Sequence, residues 1–221
     1  MTIPYTIYEF NPREFNFVEL IEKLFETDNL STLHKIAKRE YKSQFEIGKD
    51  SSTEFHKKFY DKYHSGWPDM VSLYGSFIAH LSSSFFEDFL YQSFPTFRIS
   101  LPGNVAVGAF HNDAEFGHPE GEINYIIPLT YSYESSSVWV ESEPNKGDFQ
   151  SIPMAIGDLI KFDGNKLTHG NRTNITGRSR VSMDFRILPM SMYDENNNSV
   201  SITRNTKFIE GEYYKKFSKK V

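Results

Sequence analysis

A chain of 221 residues with 38% hydrophobic and 16% aromatic content carries enough apolar surface for a sizeable core, and its 20 Phe and 13 Tyr make that core aromatic. It has no cysteine, which excludes disulfides, thiolate metal ligands and a cysteine nucleophile, and leaves His, Asp, Glu and backbone oxygen to hold any metal. A formal net charge of -5 argues against nucleic acid as the main partner, and neither a signal peptide nor an apolar run of about 18 residues is evident, so the expectation is a cytoplasmic chain with no membrane partner.

The first part reads as helical. Phe17, Val18, Ile21, Leu24 and Phe25 share one face at helical spacing, and Leu30, Leu33, Ile36 and Ala37 make a second such stripe. The turn from Asp50 to Thr53 offers an N-cap for a helix carrying Phe55, Phe59 and Tyr63. A longer helix is expected after Gly66-Trp67-Pro68, running through Val71, Leu73, Phe77, Ile78, Leu81, Phe85 and Phe89. These stripes are assigned to packing, and His34, His56, His64 and His80 to ordinary helix positions.

From about Phe94 the pattern changes to short segments between turns: TFRISL, NVAVGAF, EINYIIPLT, SVWVES, DLIKF and SRVSMDFRIL. Their separators, among them PGN, HPEG, EPNKGD and FDGNK, are turn chemistry. The layout is α+β with a mainly β core, a barrel of jelly-roll type with N-terminal helices packed on one sheet. It is read as one domain, residues 1–221, with a helical part at 1–92, the β core at 93–190 and an extension at 191–221 that wraps the surface. The closing KKFSKK reads as a solvated or frayed end.

Within FHNDAEF, His111 and Asp113 stand two apart, a spacing that puts both on one face of a strand. Alone, the pair reads equally as a polar strand end. His169 follows 56 positions after Asp113, behind another expected strand. Two imidazoles and one carboxylate leave three metal positions open, which suits non-haem Fe(II). Eleven positions on lies Arg180, with Ser182 on the same strand face. A guanidinium beside a hydroxyl fits one carboxylate, and an arginine inside a barrel needs an anion. That anion is either a ligand or Asp184, which shares the parity. Arg178 shares it too, but lacks a serine two residues later.

These motifs, together with HNDAEFGHPEGEINYIIPLT, SVWVESEPNKGDF, FDGNKLTHGN and GRSRVSMDFRILP, resemble the 2-oxoglutarate and Fe(II)-dependent oxygenases, and among them the group related to streptomycin biosynthesis protein StrG. The resemblance covers about residues 95–190. It implies a double-stranded β-helix, Fe(II) held by His111, Asp113 and His169, and 2-oxoglutarate anchored by Arg180 and Ser182. It also implies O2 as co-reactant, hydroxylation of a small polar metabolite of sugar or aminocyclitol type, and succinate and CO2 as co-products. Asp113 stands where halogenating relatives carry a small residue, which disfavours halogenation.

Further residues are read from position. On EINYIIPLT, Glu122, Asn124 and Ile126 share one face, and Asn124 is expected to point into the site beside 2-oxoglutarate. Trp139, Arg98 and Arg186 are candidates for substrate contact, Trp139 with core packing as the alternative and the two arginines with structural ion pairs. A cupin-like metal-dependent isomerase or a sugar-binding jelly roll is the competing reading; neither needs Arg180 and Ser182 behind the metal.

Overall fold

A computed structural model describes residues 3–37, 53–106, 109–201 and 205–218. The first element is a strand, β1 (Tyr5–Glu9), inside the part expected to be helical. Helix α1 (Phe17–Phe25) follows; Asn16 accepts the Glu19 amide at its start, and Glu26 ends it in the left-handed conformation. Leu30–Lys35 is 3-10 rather than α-helical. Helix α2 (Glu54–His64) is capped by Thr53, as expected; Asp50 to Ser52 lie outside the described residues. Helix α3 (Pro68–Leu81) starts with its proline in the first turn, where no amide hydrogen is missed.

The long helix expected through Phe85 and Phe89 stops at Leu81. Ser82 and Ser83 donate their hydroxyls back to the carbonyls of Ala79 and His80, competing with the helical ladder. Phe89 instead opens β2 (Phe89–Gln92), followed by β3 (Thr96–Ser100). The segment NVAVGAF forms no strand among its described residues, with 107–108 outside them. The remaining strands are β4 (Ile123–Pro128), β5 (Val138–Val140), β6 (Gln150–Ile152), β7 (Asp158–Phe162), β8 (His169–Asn171), β9 (Arg180–Pro189) and β10 (Tyr214–Phe217).

Among the described residues the named strands pair antiparallel throughout. A seven-stranded sheet runs β1-β7-β4-β9-β2-β10, with β3 also on β9, and a three-stranded sheet runs β6-β5-β8. The long strand β9 organises the larger sheet: β2 and β3 pair with its two halves, and β4 with its middle. Side chains of the two sheets meet in one cluster, which joins Ile126, Ile160 and Phe162 to Val138, Val140 and Ile152.

Strict alternation along β9 divides its two faces. Val181, Met183, Phe185 and Ile187 enter the main apolar cluster together with Phe17, Phe59 and Phe77 of the helices. Phe59 stacks on Phe97 with ring centroids 4.7 Å apart, and Phe185 meets both Tyr74 and Phe77 edge-on. Arg180, Ser182, Asp184 and Arg186 point the other way and line a cavity between the sheets. The C-terminal extension does more than wrap the surface: Phe208, Tyr213 and Tyr214 are buried against Leu90 and Leu188, and Lys215 and Lys216 belong to β10. Lys219 and Lys220 lie outside the described residues. Among the described residues no helix is long and apolar enough to cross a membrane.

Candidate metal centre

His111 and Asp113 do not lie on one regular strand. His111 forms a single antiparallel bridge with His169, exchanging both backbone hydrogen bonds with it at 3.0 and 2.8 Å. Asp113 begins a 3-10 turn, Asp113–Phe116, that Asn112 caps by accepting the Glu115 amide. The Asp113 amide donates to Gly164 O at 2.8 Å, which ties this turn to the FDGNK loop. A strand bridge and a capped turn therefore place the two side chains together, where regular alternation was expected.

The three side chains meet with their ligating atoms aligned. Nε2 of His111 and Nε2 of His169 each lie 3.7 Å from Asp113 Oδ1, and the three groups can hold a single ion. Each imidazole donates its Nδ1 hydrogen to a backbone carbonyl, His111 to Ala109 O at 2.9 Å and His169 to Leu167 O at 3.0 Å. That fixes the tautomer and leaves both Nε2 lone pairs facing Oδ1. Burial pushes the His169 imidazole down to about 4, against the opposing pull of Asp113, so it is neutral and ready to ligate.

Asp113 Oδ2 is fully engaged from behind. It accepts Asn124 Nδ2 at 2.7 Å and Arg186 Nε and Nη2 at 2.9 and 2.8 Å. Burial alone would raise the Asp113 carboxyl, but the Arg186 guanidinium against Oδ2 holds it well below the usual carboxylate range. Gly164 makes the approach of Asn124 possible: a Cβ there would sit 2.5 Å from Asn124 Nδ2. His169 is also braced by its neighbour, since Thr168 N donates to the buried Glu141 Oε1 at 2.7 Å and Glu141 N to Thr168 O at 3.1 Å.

Arg180 is 2% exposed and has no carboxylate within hydrogen-bond reach among the described residues. It donates to Ser136 O at 3.1 Å, to Ser182 Oγ at 2.9 Å and to Asn171 Oδ1. Burial, with Arg98 nearby, lowers it to about 10. Asp184 is taken by two other arginines, Arg98 Nε at 2.7 Å and Arg186 Nη1 at 3.3 Å. The cavity therefore holds a guanidinium whose direct partners are all neutral, in the same space as His111 and His169.

Of the residues singled out from the sequence, the structure brings His111, Asp113, His169, Asn124, Arg180 and Ser182 together around this cavity. Asn124 spends its amide on Asp113. Arg98 and Arg186 line the cavity but are engaged by carboxylates. Trp139 does not line it: Val138 and Val140 take the inner face of β5, and Trp139 lies on the other face under the Arg172 guanidinium, 3.6 Å from the ring centroid. Sequence reasoning missed Asn171 on Arg180, although its position two after His169 already put both on one face. Nothing in the sequence pattern signalled Glu141 or Gly164.

The chain is 35% identical over 214 residues, 95% of its length and 97% of the relative's, to streptomycin biosynthesis protein StrG of Streptomyces griseus. It belongs to the StrG family. No family model matches this StrG-family chain. Among solved structures it resembles the non-haem alpha-ketoglutarate-dependent carbocyclase SnoK from nogalamycin biosynthesis, with a TM-score of 0.52 at 12% identity over 97% of this chain and 92% of that one. A prolyl-4-hydroxylase of Pseudomonas putida gives a TM-score of 0.45 at 12% identity, covering 84% and 92% of the two chains. The StrG-family chain thus shares the fold of a 2-oxoglutarate-dependent non-haem enzyme.

Proposed function

We propose that the protein is a non-haem Fe(II)- and 2-oxoglutarate-dependent dioxygenase acting on a small polar metabolite, with the two sheets forming a double-stranded β-helix around the site. The observation that carries this reading is the division of labour on Asp113. Oδ2 is occupied by Asn124 and Arg186, while Oδ1 and two tautomer-fixed Nε2 atoms face one another. That donor set, two imidazole nitrogens and one carboxylate oxygen, fits Fe(II) and would leave positions for a chelating cosubstrate and a gas.

His111, Asp113 and His169 would hold the iron. Fe(II), bound with 2-oxoglutarate and O2, supplies the oxidising chemistry that converts a substrate C–H to C–OH, giving succinate and CO2. Arg180, held in direction by Ser136 O and Asn171, would present its charge to the far carboxylate of 2-oxoglutarate, and Ser182 would offer a hydroxyl beside it. Arg186 and Asn124 hold Asp113 Oδ2, so that Oδ1 is the oxygen that would face the ion. Ile126, Val138 and Phe162 give the cavity an apolar wall that limits water. A relative named for streptomycin biosynthesis supports a sugar or aminocyclitol-like substrate.

The test is conversion of 2-oxoglutarate to succinate with oxygen consumption in the Fe(II)-loaded protein, first uncoupled and then across a panel of sugars and aminocyclitols. The reading expects slow succinate formation that a substrate accelerates and that Asp113→Ala abolishes. Succinate formation unchanged in Asp113→Ala would contradict it.

A further inference from the structure

Behind the metal-facing residues runs a second line of buried polar groups that reaches the C-terminal strand. Glu122 is 0% exposed. Its Oε1 accepts the Tyr214 hydroxyl, and its Oε2 meets His118 Nδ1 at 2.5 Å. Oε2 also stands 3.9 Å from Arg186 Nε, the same nitrogen that donates to Asp113 Oδ2 at 2.9 Å. Of the two fully buried carboxylates beside the Nε of this guanidinium, Asp113 and Glu122, only Asp113 is hydrogen-bonded to it, while Asp184 Oδ2 accepts from Nη1 at 3.3 Å.

A buried carboxylate oxygen without a donor is costly, and it recruits the nearest donor that can reach it. Glu122 has no need to do so, because Tyr214 and His118 satisfy one oxygen each. Tyr214 is itself 0% exposed and lies in β10, paired with Gln92 of β2. Its neighbour Tyr213 donates to Gln92 Oε1 at 3.1 Å, and that oxygen also lies 3.4 Å from Arg186 Nη1. The ring of Phe208 packs on His118 at 4.5 Å, which holds the other donor in place. The extension that the sequence presents as a surface wrap therefore supplies hydroxyls to both side chains behind Arg186.

We propose that Tyr214 is a positioning residue for the metal site: by holding Glu122 Oε1 it fixes the orientation of a carboxylate whose Oε2 stands 3.9 Å from Arg186 Nε, keeps Glu122 from swinging onto that guanidinium, and so leaves Asp113 Oδ2 clamped by Arg186. The inference rests on the reading of Asp113 as a metal ligand, but it needs neither 2-oxoglutarate nor turnover. Without the hydroxyl, Glu122 competes for Arg186, Asp113 Oδ2 loses part of its clamp, and the carboxylate is free to rotate.

The experiment is anaerobic Co(II) titration of the full-length protein, followed by its visible d–d bands. Tyr214→Phe is expected to weaken Co(II) binding by roughly 10-fold and to change the band shape, as loss of an outer-sphere support does. Adding Glu122→Gln to Tyr214→Phe removes the competing charge and is expected to restore both affinity and spectrum, which a packing role for Tyr214 would not do. Circular dichroism and melting confirm that each variant is folded. If Tyr214→Phe fails to fold, Glu122→Gln alone decides: it is expected to bind Co(II) at least as tightly as wild type, and weaker binding overturns the proposal. Wild-type affinity and spectrum in a folded Tyr214→Phe, or no rescue in the double variant, also overturn it while leaving the metal centre standing. No Co(II) binding by the wild type overturns both.

Discussion

Arg186 grips Asp113 through a single oxygen: Nε at 2.9 Å and Nη2 at 2.8 Å both end on Oδ2, while Oδ1 faces the two imidazoles. The pair is buried, and Arg186 Nη1 is turned toward Asp184 and Gln92. Removing the charge of Asp113 takes away the nearest buried counter-ion of Arg186, whose remaining carboxylate hydrogen bond is to Asp184 Oδ2 at 3.3 Å. Asp113→Asn is therefore expected to abolish metal binding and also to cost about 3 kcal/mol of stability. The double change Asp113→Asn with Arg186→Gln should cost less than the sum of its parts, measured by urea unfolding of the metal-free proteins.

Arg180 gives the opposite result. Its partners are neutral, and its burial disfavours the charge. Arg180→Met should leave the metal-free fold as stable as wild type or more so, by up to about 1 kcal/mol, because an apolar side chain replaces a desolvated cation. The same change should weaken 2-oxoglutarate binding by about 100-fold, since the cosubstrate carboxylate loses its charged partner. A loss of stability together with unchanged 2-oxoglutarate affinity would assign Arg180 to the fold and not to the ligand.

How much of this was legible in the sequence follows from periodicity. The alternation in RVSMDFRIL separates Val181, Met183, Phe185 and Ile187 from the four polar residues of the cavity, and EINYIIPLT splits the same way, with Asn124 and Ile126 on the cavity side. The grouping of His111, Asp113 and His169 was legible as spacing, but its geometry was not. Asn112 caps a turn that moves Asp113 off any strand, an effect of one side-chain hydrogen bond that leaves no period. Strands β1 and β10 were hidden because edge strands with exposed faces carry little apolar alternation, and Phe89 because a helical stripe runs straight into a strand. Partnerships between distant residues, such as Arg186 with Asp113 and Tyr214 with Glu122, depend on strand order, which the pattern along one chain does not contain.

Glycine supplies a matched pair of tests. In Gly164→Ala the new methyl would lie 2.5 Å from Asn124 Nδ2, so Asn124 must leave Asp113, and metal affinity should fall by roughly 10-fold. In Gly75→Ala, within α3, the methyl meets nothing within 4 Å, and the helix should gain about 1 kcal/mol with no change in metal affinity. Calorimetric Co(II) titration and thermal melting of the two variants separate these outcomes.

Acid should destabilise the metal-free protein in a defined window. His169 is lowered from 6.5 to about 4 by burial, so between these values the unfolded chain binds a proton that the folded chain refuses. The effect vanishes above about pH 6.5 and grows on acidification, reaching roughly 1 to 2 kcal/mol by pH 5. Asp113 and Asp184, both held below their ordinary value, retain their contribution in this range and lose it only at lower pH. Urea unfolding at pH 7 and pH 5 should show the loss, and His169→Gln should reduce it; a stability that rises toward pH 5 would contradict the neutral, buried imidazole.

The most direct measurement of the central claim is anaerobic titration of the protein with Fe(II) and 2-oxoglutarate, followed by visible absorption. Wild type should develop a weak charge-transfer band only when both are present, and Arg180→Ala should require about 100-fold more 2-oxoglutarate to reach it. No band in the wild type, or the same titration curve in Arg180→Ala, would contradict the account.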